Sequence, residues 1–513
     1  MDAARLNWLT ASETARLIAG GALTSEDHVR SCLARIEETE SGVQAWAHLD
    51  PDFALEQARD ADQRRMRGLP CGPLHGVAIG IEDVFDVRGQ PTGDGTLLHA
   101  GRMPRRDATA VSRLRSAGAV ILGKTGTGEL GSGSPGKTRH PRDPERTPGG
   151  SSSGSAASVA AGMVPAALGS QTDGSVILSA SFCGVYGFKP SFGWIPRGGM
   201  LARSRPLDQV GVLARSLADL ALVTECIAGF DEGDADTQPP RARPPLADIL
   251  AQEPPLPPRL ARARTPFWGR LDADMRAAFD ELAQALGGHA QELDLPESTE
   301  QASKWHRTLF EADLAASFEL EYDRGAGQLS PGLRGQIERG RDVRAVDYRK
   351  ALDRIERLNE GFADLFSGFD AIVTPAALGT APKGKDSTGD PLLTTLWAYC
   401  GMPALSLPLA SGDNGMPLGI QLVGARGDDA RLLRTARWLC AVVSAEDRNS
   451  SPSNPRRCVM WTKVIFGLIS IALMTSFVGA VVLKLKDPAL AVVVLIGLSM
   501  MLYDFVLSLR EKD

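Results

Sequence analysis

Residues 148–190 read PGGSSSGSAASVAAGMVPAALGSQTDGSVILSASFCGVYGFKP, and this stretch says more about the fold than any other part of the chain. Glycine and serine dominate it, but apolar runs at residues 156–167 and 182–188 lie between the glycines. Flexible Gly/Ser linkers carry no such core-forming residues. The pattern therefore predicts a backbone packed closely around a site, where glycine allows main-chain N–H groups to point inward. Ser151 and Ser175 each follow a glycine directly and are the candidate reactive side chains.

Other blocks along the chain support the same interpretation. They are GPLHGVAI (72–79), DVRGQPTGDG (86–95), GGSSSGS (149–155), GSQTDGSVILSA (169–180), FCGVYGFKP (182–190), GMPALSLPL (401–409) and PLGIQLVG (417–424). Together they resemble the amidase signature family, hydrolases of carboxamides that use a Ser–cis-Ser–Lys triad. The resemblance covers about residues 7–445. It implies the fold class of that family, a single large α/β domain with a mixed open sheet between helical layers.

The resemblance also implies a role for each residue of the central stretch. Ser175 would be the acylated nucleophile, and Ser151, on a cis peptide, would relay its proton. The backbone N–H groups of Thr172, Asp173, Gly174 and Ser175 would form the oxyanion hole. This arrangement suits the chemistry, because a serine hydroxyl needs a neighbouring proton acceptor and the tetrahedral oxyanion needs fixed donors.

The third catalytic position departs from the family pattern. The block that carries lysine in the family reads GVAIGIED here, so Glu82 occupies the position of the lysine. A carboxylate is the weaker base, with an ordinary pKa near ~4.3 against ~10.4 for lysine. Burial can raise that pKa and make a glutamate an effective base. Glu82 is also shorter than lysine, and its negative charge would lie near a developing oxyanion.

Three further departures surround the same site. Asp173 replaces a small residue beside the proposed oxyanion hole, and Leu178 and Ser179 replace a common Arg-Pro pair. We therefore expect a protein that keeps the fold but turns over amides slowly. On this hypothesis, Glu82→Lys should raise the hydrolysis of a simple amide.

Other motifs in the chain allow competing functions. Residues 131–138 fit the P-loop pattern GxxxxGK[ST], but the prolines at 141 and 144 follow where a helix would have to begin. Residues 126–131 fit GxGxxG without a helix after them, which disfavours a dinucleotide site. Residues 150–154 fit the GxSxG nucleophile elbow of α/β-hydrolases, which requires a histidine partner. Seven histidines are scattered through the chain, so a Ser-His-Asp hydrolase stays open as an alternative.

Composition narrows the function further. The net charge of −6 comes without a basic stripe or aromatic platform suited to nucleic acid. Seven cysteines show neither a CxxC pair nor metal-ligand spacing, which is typical of a reducing compartment. We expect neither a metal nor another cofactor.

Local patterns predict alternating helices and strands, as in a sheet covered by helices. Thr10 begins a capping box for a helix that ends at residues 20–21, and Thr24 caps the next helix. Further strands are predicted at 75–81, 119–122, 371–374, 404–409 and 418–423, and further helices at 109–117, 272–286 and 347–366.

The tail differs in composition from the rest of the chain. We divide the chain into an amidase-like domain at 1–445, a polar linker at 446–460 and a membrane hairpin at 461–513. Within the hairpin, the apolar runs 464–483 and 489–506 are each long enough to cross a membrane and are separated by a charged turn with proline. The basic residues outside the hairpin place both its ends, and so the hydrolase domain, in the cytoplasm.

The sequence as a whole predicts an amidase-type hydrolase that cleaves the C–N bond of a small carboxamide and is tethered to a membrane. The first alternative is a catalytically impaired homologue that binds a ligand or a protein partner. The second is a membrane module with a degenerate passenger. A homo-oligomer is compatible with each of them.

Overall fold

The computed structural model describes residues 3–237, 244–384 and 386–450. Contacts between residues divide the chain into two units, Met1–Val442 and Val443–Asp513. The elements below belong to the first unit, except for the end of the last helix.

Strands and helices alternate along the chain. The strands are β1 Trp46–Leu49, β2 Ala78–Glu82, β3 Val120–Thr125, β4 Ala166–Gln171, β5 Tyr186–Lys189, β6 Gln209–Ala214, β7 Leu260–Arg264, β8 Ala290–Asp294, β9 Ala371–Pro375, β10 Ala404–Ser411 and β11 Pro417–Val423. The helices are α1 Ala11–Ala19, α2 Ser25–Val43, α3 Pro51–Met66, α4 Thr109–Ser116, α5 Ser153–Ala160, α6 Ser175–Cys183, α7 Leu217–Ile227, α8 Leu246–Ala251, α9 Ala273–Leu286, α10 Gln301–Ser317, α11 Glu319–Gly325, α12 Pro331–Arg341, α13 Ala345–Gly368, α14 Leu392–Tyr399 and α15 Asp429–Ser450. Short 3-10 turns lie at Ala3–Trp8, Leu97–His99, Glu129–Gly131, Trp268–Arg270, Gly287–His289, Glu297–Glu300 and Ala326–Gln328.

All the strands above join one mixed sheet of 11 strands, in the order β1-β3-β2-β4-β6-β5-β10-β11-β9-β7-β8. Strand β2 lies between β3 and β4 and is parallel to both. The centre of the sheet, from β4 through β6, β5, β10 and β11 to β9, is antiparallel. The parallel group matters for function, because the carboxyl ends of β2, β3 and β4 meet at one edge. The predicted class, a large α/β domain with a mixed sheet, is confirmed.

The local predictions were correct where the signal was a cap or a short apolar run. Thr10 closes a capping box with Glu13 at the start of α1, and Thr24 caps α2. Each predicted strand corresponds to an observed one, although the run at 75–81 begins three residues before β2 does. Residues 75–77 instead lie in a turn, where the Gly76 N–H donates to the Gly118 carbonyl.

The sequence did not predict six of the strands, namely β1, β4, β5, β6, β7 and β8, and among these β4 and β5 lie inside the stretch 148–190. Strand β4 reads AALGSQ and is buried along its whole length, so it has no alternation of polar and apolar residues. Strand β6, residues Gln209–Ala214, is equally buried and pairs with it. Burial alone does not explain why they were missed, because β2, β3, β9 and β11 are buried along their whole length and were predicted; β4 differs from these in having no β-branched or aromatic residue.

Two hydrophobic clusters stabilise the domain. One lies among α2, α3, α5 and α6 and strands β1 to β4, and includes Val29, Val120 and Val176. The other joins α10, α12, α13 and α14 to strands β7 and β9, and includes Leu309 and Trp397. The tract 301–341, which matched no motif, thus forms three helices, of which α10 and α12 contribute residues to the second cluster.

The predicted membrane hairpin at 461–513 lies outside the described residues. Within the described part of the chain, no helix combines the length and the apolar character needed to cross a bilayer.

Candidate active site

Two glycines turn the chain sharply before Ser151. Gly149 and Gly150 have φ values of 86° and 59°, in the left-handed region that favours glycine. A Cβ on Gly150 would lie 2.5 Å from the Ser175 carbonyl oxygen and 2.7 Å from its Cα, so no other residue fits. The turn therefore allows the loop before α5 to lie directly against the start of α6.

The close approach brings the two candidate serines together. Ser151 Oγ lies 2.9 Å from Ser175 Oγ, although 24 positions separate the residues. The Ser151 backbone N–H also donates to Ser175 Oγ, at 3.0 Å. Ser151 is 1% exposed and Ser175 7% exposed, so the reactive pair lies almost entirely beneath the surface. The predicted convergence of these hydroxyls is thus observed.

The peptide before Ser151 differs from the expectation. The family pattern implied a cis bond there, but every described peptide bond in this structure is trans. The consecutive left-handed conformations of Gly149 and Gly150 redirect the chain without a cis bond. The expectation of a cis peptide was therefore wrong for this structure, while the contact between the serines that it was meant to explain is present.

Glu82 lies beneath the serine pair at the carboxyl end of β2, and it is fully buried. Its Oε2 accepts hydrogen bonds from Ser152 Oγ at 2.8 Å and from the Ser170 N–H at 2.6 Å. Its Oε1 accepts from Thr127 Oγ1 at 2.8 Å and lies 3.5 Å from Ser151 Oγ, at the limit of a hydrogen bond. The carboxyl is thus tightly held by three donors and loosely associated with Ser151.

Burial raises the pKa of Glu82 because a charged carboxylate is poorly solvated there. The positive charge of Arg203 is the largest influence in the opposite direction, followed by the hydrogen bonds from Thr127, Ser152 and Ser170. A carboxyl with a raised pKa is a stronger proton acceptor when ionised than an exposed glutamate.

The proposed oxyanion loop, Thr172 to Ser175, connects β4 to α6. The Gly174 N–H, one of the expected donors, is already used by its own neighbour, because it donates to Asp173 Oδ1 at 2.6 Å. Thr172 is fixed at both ends: its Oγ1 donates to Asp208 Oδ1 at 2.7 Å, and its carbonyl contacts His306 Nε2 at 2.9 Å. A negative charge therefore lies where the loop was expected to receive a developing oxyanion.

The remaining departures have structural roles nearby. Leu178 packs with Phe182 in a small apolar cluster, and Ser179 Oγ donates to the Ser175 carbonyl at 2.5 Å. Ser179 thus satisfies a carbonyl in the first turn of α6.

The competing motifs do not gain support from the structure. Residues 132–140, which follow the first glycine of the P-loop-like pattern, form loops, and the next helix begins only at Ser153. Ser152, the central serine of the GxSxG pattern, donates to Glu82 Oε2 and to the Ser170 carbonyl, and no histidine within the described residues hydrogen-bonds to it, so this alternative lacks its histidine partner. Over the same residues, no group of three His, Cys, Asp or Glu side chains is arranged to hold a metal ion.

Two residues of the site were not anticipated. His306, on α10, contacts the oxyanion loop, and burial lowers its pKa despite the nearby charge of Asp173. Arg203, in the segment before β6, is 1% exposed. The sequence around Arg203 contains no motif that would identify it as a site residue, since only the tertiary fold places it near Glu82.

Comparison with known proteins identifies a family whose sequences resemble this chain. The sequence model of the family described as Amidase matches residues 27–433. The chain is 34% identical over 469 residues to a subunit of the glutamyl-tRNA(Gln) amidotransferase of Chloroflexus aggregans, a match that covers 84% of this chain and 95% of that protein.

Solved structures show the same similarity in three dimensions. The native peptide amidase of Stenotrophomonas maltophilia is 27% identical with a TM-score of 0.73, over 85% of this chain and 97% of that one. The 6-aminohexanoate cyclic dimer hydrolase is 25% identical with a TM-score of 0.75, over 85% and 97% of the two chains. A chain from a vestigial complex connected to the origins of an s-triazine catabolic enzyme reaches a TM-score of 0.79 at 28% identity, over 84% and 98%.

Proposed function

Since this chain belongs to the amidase family, we propose that it cleaves the C–N bond of a small carboxamide through an acyl-Ser175 intermediate. The observation that carries this proposal is the contact of 2.9 Å between the Ser151 and Ser175 hydroxyls beside a buried carboxyl. An isolated serine is a poor nucleophile, and a neighbouring group that accepts its proton overcomes that weakness.

In the structure Ser151 Oγ donates to Ser175 Oγ, so the reaction begins when the two hydroxyls rotate and Ser175 becomes the donor to Ser151. Ser175 Oγ attacks the amide carbon while its proton passes to Ser151 Oγ, and the Ser151 proton passes to Glu82 Oε1. The Ser151 N–H, already 3.0 Å from Ser175 Oγ, stabilises the negative charge that develops on that oxygen. When the C–N bond breaks, the proton returns from Glu82 through Ser151 to the leaving nitrogen. Water then attacks the acyl carbon while its proton passes through Ser151 to Glu82, and that proton returns through Ser151 to Ser175 Oγ as the ester bond breaks and the carboxylic acid leaves.

The oxyanion of each tetrahedral intermediate would be held by the backbone N–H groups of Thr172, Asp173, Gly174 and Ser175. Asp173 Oδ1 has to leave the Gly174 N–H for that donor to contribute. Moving a carboxylate away from a good hydrogen bond adds to the barrier, which supports slow turnover.

The surroundings of Glu82 are a second reason to expect slow turnover. It stands where the family pattern has lysine, and its oxygens already accept from Thr127, Ser152 and Ser170. Each of those donors stabilises the ionised carboxyl and so weakens it as a base. The distance of 3.5 Å to Ser151 must also shorten before a proton can transfer.

Labelling with a fluorophosphonate probe tests the proposal without knowledge of the substrate. An activated Ser175 is expected to form a covalent adduct that mass spectrometry locates on the peptide containing it, and Ser175→Ala is expected to lose the adduct. Ser181→Ala is a matched control, because Ser181 is also buried on α6 but its hydroxyl accepts from the Gly419 N–H, away from the serine pair. Failure of the wild-type protein to react at any pH would refute the proposal.

A second candidate function is that of an impaired homologue that binds a ligand or a protein partner. The hydrogen bond from the Gly174 N–H to Asp173 favours the impaired homologue, because the Asp173 carboxylate occupies a donor of the proposed oxyanion hole. The relative from Chloroflexus aggregans is one part of a larger enzyme by its name, which makes a protein partner or a homo-oligomer reasonable for this chain. The same labelling experiment separates the two functions, since an impaired homologue has no activated serine.

A further inference from the structure

Arg203 is a buried cation that contacts Gly131 and Asp208. It is 1% exposed, and its Nη1 donates to the Gly131 carbonyl at 2.6 Å. Its Nε lies 3.3 Å from Asp208 Oδ1, an ion-pair contact. Within the described residues, its Nη2 has no hydrogen-bond partner. A buried N–H group without an acceptor is costly, so its presence points to a role beyond packing.

The contact with Gly131 links Arg203 to the turn that supports Ser151. The Gly131 N–H donates to the Gly128 carbonyl at 2.9 Å, and the Gly128 N–H donates to the Ser151 carbonyl at 3.2 Å. Thr127, at the start of the same turn, donates to Glu82. A Cβ on Gly131 would lie 2.7 Å from Arg203 Nη1, so the turn and the guanidinium fit closely.

The contact with Asp208 links Arg203 to the oxyanion loop. Asp208 Oδ2 accepts from the Arg203 backbone N–H at 2.8 Å, while Oδ1 accepts from Thr172 Oγ1 at 2.7 Å. The same arginine is therefore connected to both sides of the serine pair.

Arg203 is the buried cation whose charge acts on Glu82, although its own ion pair is with Asp208 and it makes no ion pair with Glu82. A buried carboxylate needs an opposite charge nearby. The other buried cation near this edge, Lys124, is already paired with Asp83 at 2.8 Å. Asp173 and Asp208 are themselves acidic, and burial lowers the pKa of His306. The effect of Arg203 on the pKa of Glu82, which is downward, agrees with this assignment.

We propose that Arg203 is a positioning residue for the serine pair, which holds the turn from Thr127 to Gly131 against Ser151 and offsets the negative charge of Glu82. It acts through these groups and not on the substrate directly. The inference rests on the proposed function, because Glu82 has to accept a proton from Ser151 for the charge of Arg203 to affect the reaction.

The test is the rate of fluorophosphonate labelling at Ser175, measured as a function of pH on the full-length protein. In the wild type the rate is expected to rise with pH as Glu82 ionises. In Arg203→Met the midpoint of that rise should move upward by about one pH unit or more, because an opposite charge has been removed. Arg203→Lys keeps the charge and should retain a midpoint near that of the wild type, with a lower rate because the contact with the turn is changed.

Arg205→Met is the matched control, because Arg205 lies two residues away with a side chain that is 72% exposed and paired with Asp236. It should leave both rate and midpoint unchanged. Thermal unfolding identifies any variant that fails to fold; if Arg203→Met does not fold, Arg203→Gln replaces it as the neutral variant whose midpoint decides the result.

The outcomes separate this inference from the proposed function. A wild-type protein that is labelled, with the same midpoint in a folded Arg203→Met variant, overturns the role of Arg203 alone. A midpoint for Arg203→Lys displaced as far as that of Arg203→Met also overturns it, because charge would then not be the cause. A wild-type protein without any label overturns the proposed function and this inference with it.

Discussion

Replacing Glu82 by glutamine removes a buried negative charge and keeps the shape of the side chain. The Ser170 N–H, 2.6 Å from Oε2, can only donate, so the glutamine carbonyl is expected to take that position. The amide NH2 then faces the hydroxyls of Thr127 and Ser151, which can rotate to accept. The principal loss is the charge assistance of the two hydrogen bonds donated to Oε2 by Ser170 and Ser152, so the free energy of unfolding should fall by only about 1–2 kcal/mol.

The reactivity of Ser175 should fall much more than the stability. A neutral amide cannot accept the proton of Ser151, and a general base contributes about 10²–10⁴-fold to a rate. Fluorophosphonate labelling of Ser175 in Glu82→Gln is therefore expected to slow by about 100-fold or more, and to lose the rise with pH that the wild type shows. Urea denaturation measures the stability of the same sample.

Glu311→Gln provides the control for this substitution. The Glu311 carboxylate is also buried, but it accepts from Arg339 and makes no hydrogen bond to either serine of the pair. Its labelling rate should equal that of the wild type. If a folded Glu82→Gln protein is labelled as fast as the wild type, Glu82 is not the base and the proton path proposed above is wrong.

Two further substitutions address the departures from the family pattern. Asp173→Gly frees the Gly174 N–H and should raise the labelling rate by about 10- to 100-fold, since one oxyanion donor is worth about 10²–10³-fold. Asp173→Asn should give an intermediate rate, and a slower Asp173→Gly would contradict this reasoning. Glu82→Lys leaves the Ser170 N–H with only Ser152 Oγ, at 3.1 Å, as its acceptor and adds a second cation near Arg203, so urea denaturation should show a loss of about 3–5 kcal/mol. The double variant Glu82→Lys/Arg203→Met relieves that repulsion and should release ammonia from benzamide faster than the wild type. If the folded double variant is no faster, the absence of a lysine at position 82 is not sufficient to explain slow turnover.

Local chemistry explains which parts of the fold could be predicted. The helix starts at Thr10 and Thr24 were correct because a capping side chain acts within three residues of itself. Strands β4 and β6 were missed although they are no more buried than the predicted β2 and β3; β4 has no β-branched or aromatic residue to mark it, and the pairing of the two depends on partners about 40 residues apart in the chain. The order of strands in the sheet depends on how the whole domain packs and cannot be recognised in a short segment of sequence.

The same distinction holds within the site. Ser151 and Ser175 could be identified because each sits in a glycine-rich block with its own pattern. Arg203 and His306 could not, since neither belongs to a motif and both reach the site by tertiary contacts with Gly131 and Thr172. The acidic character of Asp173 was visible, but only the backbone geometry shows that its carboxylate takes the Gly174 N–H.

The three donors that converge on Glu82 also affect which residues position 82 can accept. Glutamate and lysine codons can differ by a single base, so one mutation is enough to place lysine at this position. The Ser170 N–H, whose direction the β4 backbone fixes, would lose its shortest hydrogen bond, and Arg203 would repel the new ammonium group. Lysine would thus become favourable at position 82 only together with changes at neighbouring positions, Arg203 among them.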